Sequence, residues 1–548
     1  MSSSVLQLNP SDNVLVALKD LRKNEPISFN GQNYALITDV PAKHKFATQD
    51  FAPEASIVMY GVLVGKATQP IKKGEALTVR NVRHDAAAFH TQASRYSWQP
   101  PDVLSWREKT FAGYHRTDGQ VGTRNYWLVI PLVFCENRNI AVLKQAFTEE
   151  LGFASPTVYR RQVAELARLY KDGQAEEIKG HVFSSAESQP QNRLFQNVDG
   201  IKFLMHEGGC GETRQDSTAL CGLIAGYIHH PNVAGATVLS LGCQHAQVAL
   251  LREQLRLRTS NLGKPLLVFE QQQSGLESKM LADAVRSTFL GLIEINRETR
   301  RPAPLSHLCL GLKCGGSDGF SGISANPAIG HTADLLAALG GRTILSEFPE
   351  LCGVEQELIN RCIRPEVGDR FIQLMRDYGA RAKAVGSGFD MNPSPGNIRD
   401  GLLTDAMKSA GAARKGGASP VTAVLDYPEY STVPGLNLQC TPGSDVECVT
   451  AQVGAGANVV LFTTGLGTPT GNPIAPVIKI STNSSLARRM ADIIDVDAGG
   501  IISGDKSVEQ TGKEILDQVI RTASGELRTK AELLGQDDFI PWKRGVSL

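Results

Sequence analysis

Apolar and polar positions alternate in short runs over the first stretch of the chain. Apolar runs at 14–18, 56–60 and 76–79 are separated by turns at Gly31, Gly61, Gly65 and Gly74. Runs of this length bounded by glycine predict strands, so the stretch reads as a small β-rich unit. Between 86 and 110 the pattern breaks, and the double proline Pro100-Pro101 predicts a linker. From Phe111 onward, strand-like runs alternate with helical spacing: 126–134 then 140–151, 236–241 then 246–256, 266–269 then 278–296. A second series starts at 308–312 and continues through 343–345, 422–425 and 459–462, with a helical pattern at 507–523. This βαβ rhythm predicts mainly parallel sheets. The expected fold class is α/β: a β-rich unit over 1–90, a linker over 91–110, and a larger α/β body divided into 111–300 and 301–548.

Composition changes the picture little. A chain of 548 residues suits two to four domains at about 100–200 residues each. Its 53 glycines exceed the usual ~7% and fall in short motifs between apolar runs, as the tight turns of an α/β protein do. Zero formal net charge speaks against a nucleic-acid partner. Residues 1–13 lack the basic-then-apolar order of a secretory signal, and no apolar run approaches the ~20 residues of a membrane span. Ten cysteines in such a chain fit a reducing cytoplasm better than a disulfide framework.

Three polar clusters follow strand-like runs, where α/β proteins keep their sites. The first is Cys314-Gly315-Gly316-Ser317-Asp318-Gly319-Phe320-Ser321-Gly322, ahead of a helix predicted to start near Asn326-Pro327. Glycines at a strand end let backbone N–H groups approach an anionic ligand, and a helix N-terminus favours one. Asp318 is the formally charged residue of that loop. The second cluster is His206-Glu207-Gly208-Gly209-Cys210-Gly211-Glu212, and the third Leu241-Gly242-Cys243-Gln244-His245. The three are expected to face one pocket. Cys210, Cys243 and Cys314 each stand beside glycine, yet no Cys-x-x-Cys pair gives a metal signature. Polar loops at 392–397, 441–445 and 463–469 could line the same pocket or be plain turns. Lys43-His44-Lys45 suits an anion site or proton transfer as well as a solvated turn. Gly-x-Gly-x-x-Gly, a Walker loop and His-Glu-x-x-His are absent.

Together these residues resemble the altronate and galactarate dehydratases, over nearly the whole chain. The family's N-terminal SAF domain carries Gly-His-Lys before Phe-Ala, then Tyr-Gly and Ile-Gly; here stand Lys43-His44-Lys45-Phe46-Ala47, Tyr60-Gly61 and Val64-Gly65. The run from Phe111 to Asn125, His206 to Gly211, Leu241 to Gln244, Ser346-Glu347, Asn392 to Asn397 and Gly465 to Pro469 follow the family's motifs. The longest match is Cys314 to Gly330. Departures are Lys43 for glycine, Thr78-Val79-Arg80-Asn81 for His-x-His-Asn, with His84 offset from the missing histidine, and Gln244 where glutamate is frequent.

The resemblance implies a hydro-lyase that removes water from a sugar acid, altronate foremost and galactarate next, to give a 2-keto-3-deoxy acid. It implies a divalent metal (Fe²⁺ or Mn²⁺, or Mg²⁺), a small-molecule sugar-acid substrate and a homo-oligomer. His44, Lys45, His206, Asp318 and Glu347 are the implied acid–base candidates. Gly315, Gly316, Ser317, Asn326, Asn392, Ser394, Asn397 and Thr468 are the implied substrate contacts. Cys210, Cys243 and Cys314 are the candidate metal ligands, and one alternative uses them for an iron–sulfur cluster with an open iron. Another alternative is a sugar-acid-binding protein without activity.

Overall fold

The computed structural model describes residues 4–91, 96–154, 158–183 and 193–547, with the backbone alone for Asp390. In the N-terminal unit, Val14–Ala17 pairs antiparallel with Val5–Leu6 and Lys45–Ala47. Ser56–Met59, Val62–Ala67 and Val82–Arg83 form a second antiparallel sheet. Pro26–Phe29 and Gln32–Ala35 form a hairpin closed by Asn30-Gly31, both left-handed (φ 49° and 75°). Two consecutive left-handed residues match the right-handed strand twist, which is why Asn-Gly turns so tightly. The run expected as a strand at 76–79 is not one. Ala76 makes a single bridge to Phe46, and the Thr78 N–H donates to the Asn81 carboxamide at 2.7 Å, turning the chain instead.

The body holds two parallel sheets. In the smaller, Tyr126–Pro131 lies inside, with Gly200–Phe203 on one side and Val233–Ser240, then Leu266–Glu270, on the other. In the larger, Cys309–Cys314 lies inside. Arg342–Leu345, Gly435–Gln439 and Val421–Leu425 extend one way; Val459–Thr464, Val477–Ser481 and Val496–Asp497 extend the other. In both sheets the first strand stands where the strand order reverses. Ligands of open α/β sheets collect at the carboxyl ends beside such a point. A short antiparallel sheet of Val121–Gly122, Thr110–His115 and Arg301–Pro304 ties the two halves of the body together.

The expected helices fall at Asn137–Glu150, Val248–Arg256, Glu277–Ile295, Ala325–Ala338 and Val508–Ala523. Three long helices lie outside the expected set: Val158–Lys171, Pro365–Ala384, whose buried face is Val367, Phe371, Ile372 and Met375, and Arg214–His229, buried along nearly its whole length between the two sheets. A helix buried all round shows no apolar stripe. The β-rich unit is not separated from the body. Val14, Ile57, Met59 and Val64 share one core with Phe320, Phe348, Leu403 and Met407. Among the described residues, no helix is long and apolar enough to cross a membrane.

Candidate active site

The strand Cys309–Cys314 ends in the glycine loop, and its last two side chains point into a buried charged cluster. The Lys313 ammonium contacts a Glu347 carboxylate oxygen and lies 3.0 Å from Asp445 Oδ1. Lys415 Nζ lies 2.8 Å from Cys314 Sγ and 2.5 Å from Glu347 Oε2. Lys408 Nζ lies 2.8 Å from Glu350 Oε1 and donates to Asn392 Oδ1 at 2.9 Å. Glu350 in turn accepts from the Cys314 thiol at 3.6 Å. All of these charged groups are buried except Asp445. Burial alone would lower the three lysines, but the carboxylates around them, and for Lys415 the Cys314 sulfur first, outweigh it and hold all three above the ordinary range. Burial opposes ionisation of Glu350 as well; Lys408, Lys313 and Lys415 outweigh it and depress its pKa. Burial pushes the Cys314 thiol up to about 11.

Glu347 is fully buried and has a left-handed backbone (φ 68°). A non-glycine residue there stores about 1–3 kcal/mol and persists only where surrounding contacts dictate it. Here its N–H donates to Thr441 Oγ1 at 3.0 Å and its carboxylate is held by two lysines.

The N-terminal unit covers this edge. Lys43 Nζ lies 3.0 Å from Asp318 Oδ2 and 2.8 Å from Asp400 Oδ1. The approach requires glycine: a Cβ on Gly401 (φ 92°) would stand 2.5 Å from the Lys43 carbonyl oxygen, and one on Gly319 2.6 Å from it. Lys45 is fully buried and donates to the Gly401 carbonyl at 2.6 Å. Burial brings its pKa down to about 7, against the pull of Asp318. His44 Nε2 lies 3.1 Å from the Arg399 carbonyl, and burial lowers its pKa.

Several sequence candidates are held in hydrogen-bond networks of the fold. The Asp318 carboxylate accepts from Ser321 Oγ, the Phe320 N–H, Thr482 Oγ1 and Asn483 Nδ2 besides pairing with Lys43, so its lone pairs are taken. Asn326 donates to the Gly411 carbonyl and accepts from Thr463. Ser394 and Asn397 cap one short helix, and Asn397 reaches the Ser317 carbonyl at 2.7 Å. Gly315 and Gly316 do face polar groups: a Cβ on Gly315 would meet Asp445, and one on Gly316 would lie 3.2 Å from Thr468 Oγ1.

The expected single pocket divides in two. Cys314 belongs to the larger sheet and to the lysine–glutamate cluster; Cys210 and Cys243 end strands of the smaller sheet. His206 is also on the smaller sheet, buried between the Pro131 carbonyl (2.8 Å) and the Gly208 N–H (3.2 Å). Burial lowers its pKa to about 4, which favours the neutral imidazole.

Two triads among the described residues bring three potential ligand atoms within 4.8 Å of one another. Cys314, Glu347 and Glu350 do not suit a divalent cation, because Lys313, Lys408 and Lys415 already neutralise them. His84, Cys352 and Asp405 do suit one. Asp405 is 1% exposed, and neither of its oxygens has a nitrogen or oxygen donor; the Cys352 thiol is its contact. Burial raises its pKa to about 8. An imidazole, a thiol and a buried carboxylate suit a borderline ion such as Fe²⁺ better than Mg²⁺, which prefers oxygen. Lys313, Lys408, Lys415, Glu350, Cys352 and Asp405 were all missed by sequence reasoning. The one signal available was a lysine inside the apolar run Cys309–Cys314.

Residues 3–85 match the family model described as altronate/galactarate dehydratase SAF domain. Residues 113–296 match that of the D-galactarate dehydratase/altronate hydrolase second domain. Residues 305–547 match that of the D-galactarate/altronate dehydratase C-terminal region. The chain is 33% identical to an altronate dehydratase of Bacillus subtilis (strain 168) over 100% of both chains. It is 32% identical to one of Escherichia coli (strain K12) over 99% of both. The galactarate dehydratase (L-threo-forming) of Escherichia coli (strain K12) is 30% identical over 97% of this chain and 94% of its own. The chain thus belongs to the altronate and galactarate dehydratase family of hydro-lyases.

Proposed function

We propose that this chain dehydrates a sugar acid to a 2-keto-3-deoxy acid, with altronate as first substrate and galactarate next. The ranking follows the likeness to the two altronate dehydratases. The observation that carries the reading is the convergence of Lys313, Lys408 and Lys415 on Glu347 and Glu350 at the strand-order reversal. Preorganised ammonium groups in a dry site stabilise developing negative charge strongly.

In the reaction, the C2–H bond breaks and a base takes the proton. The C3–O bond breaks and the hydroxyl leaves as water after receiving a proton. The enol so formed takes a proton at C3 and becomes the 2-ketone. Lys45, brought to a pKa of about 7, is our base at Nζ, since a base poised near neutrality transfers protons best. Lys408, buried beside Asn392, holds the substrate carboxylate. The N-terminal unit excludes water by closing over the Cys314 loop through Lys43. His84, Cys352 and Asp405 would hold a divalent cation, which supplies a Lewis acid for carboxylate and hydroxyl oxygens. The test is a panel of aldonic and aldaric acids with detection of the keto acid. Altronate should give the highest kcat/KM, and a Lys408→Met variant should raise its KM. Turnover of none of these acids would overturn the reading.

A further inference from the structure

The smaller sheet carries its own chemistry at its own strand-order reversal. Three adjacent parallel strands each deliver one cysteine just past their carboxyl ends. Cys135 follows Tyr126–Pro131, Cys210 follows Gly200–Phe203, and Cys243 follows Val233–Ser240. Sequence reading grouped Cys210 and Cys243 with Cys314. The fold removes Cys314 and puts Cys135 in its place.

Backbone contacts knit the three loops together. The Phe134 N–H donates to the Gly208 carbonyl at 3.1 Å, Ala246 N–H to Gly209 at 3.1 Å, and His245 N–H to Cys210 at 3.1 Å. Glycine permits the approach: a Cβ on Gly209 (φ 97°) would stand 2.1 Å from the Leu132 carbonyl oxygen. Gln272, beyond the fourth strand, donates to Cys243 Sγ at 3.2 Å. All three cysteines are exposed, unlike the buried Cys221, Cys309, Cys314, Cys362, Cys440 and Cys448. The Cys210 side chain hydrogen-bonds Cys135, and Cys243 is close enough to act on the same thiol.

A single zinc ion, with Zn–S near 2.3 Å, draws its sulfurs to about 4 Å from one another. The cysteines here are not among the triads whose ligand atoms lie within 4.8 Å. The triangle is therefore wider than a mononuclear ion requires, and an iron–sulfur cluster spans more.

We infer that Cys135, Cys210 and Cys243 hold an iron–sulfur cluster with three protein thiolates, leaving one iron without a protein sulfur. The site is distinct from the lysine–glutamate cluster and does not depend on the dehydratase reading. The test is the full-length protein purified without oxygen and analysed for iron, acid-labile sulfide and visible absorption. About four iron and four sulfide per chain are expected for a [4Fe–4S] cluster. Cys135→Ser, Cys210→Ser and Cys243→Ser should each lose most of the iron and sulfide while keeping the wild-type circular dichroism. Zinc without sulfide, or metal-free protein with a Cys135–Cys210 disulfide after anaerobic reconstitution, would overturn the inference. These readouts need no turnover, so a failed sugar-acid panel leaves them intact.

Discussion

Lys415 Nζ sits 2.8 Å from the Cys314 sulfur and 2.5 Å from a Glu347 oxygen, with all three residues buried. Breaking a buried pair by removing one partner strands the other charge. Lys415→Met should therefore cost about 3 kcal/mol or more in chemical denaturation. The double variant Lys415→Met/Glu347→Gln should recover part of that loss, because the stranded carboxylate is gone. Equal loss in single and double variants would show that the pair is not coupled.

Lys45 fixes a pH dependence. Its folded pKa, about 7, lies below the unfolded value, so between these two pH values the unfolded chain binds more protons. Its charged form thus opposes folding, and its penalty on stability shrinks as pH rises from about 7 toward about 10. As the base it must also be neutral, so kcat should fall on the acid side with a midpoint near 7. Lys45→Gln should remove that limb and lower kcat by about 10²-fold or more. An acid limb unchanged in the variant would remove Lys45 from the role of base.

Asp405 gives a prediction with opposite signs in two states. Without metal it is a buried acid with a pKa near 8, above its unfolded value, so its contribution to stability falls as pH rises from about 4 to about 8. Asp405→Asn should therefore stabilise the metal-free protein at pH 8, by roughly 1 kcal/mol or more. The same variant should bind Fe²⁺ or Mn²⁺ at least about 10-fold more weakly in a titration, since one ligand is lost. Chelation should abolish turnover of the wild type and Fe²⁺ should restore it. Unchanged affinity for both ions in the variant would move the metal elsewhere.

Asp318, the charged residue that sequence reasoning favoured in the glycine loop, should behave as a latch. Its ion pair with Lys43 spans the N-terminal unit and the body. Asp318→Asn should destabilise the fold by about 3 kcal/mol and speed limited proteolysis of the irregular stretch around Pro100. A variant of wild-type stability with lost turnover would return Asp318 to a direct role.

Much of this was legible in sequence because strand ends announce themselves. The apolar run Cys309–Cys314 followed by five polar or glycine residues marked the sheet edge at which the lysine–glutamate cluster lies. The rest depended on topology. Lys408 and Lys415 come from a helix and the turn after it, about a hundred residues from Cys314, and only the packing of Asp405–Ala413 against Phe348–Leu351 brings them in. Cys135 had the same strand-end signal as Cys210 and Cys243, but no flanking glycine drew attention to it. Which cysteines meet was decided by strand order, and periodicity carries no strand order. Asp318 and Asn326 show a different side of the same problem: a buried turn and a helix start occupy polar side chains as readily as a ligand does, and the sequence does not distinguish the two.

The central claim, elimination of water from C2–C3 of a sugar acid, is tested most directly by running the reaction on altronate in D₂O. The product should be a 2-keto-3-deoxy acid carrying one solvent-derived deuteron at C3, read by mass spectrometry and proton NMR. A product without deuterium at C3, or unchanged altronate in the presence of Fe²⁺, would contradict it.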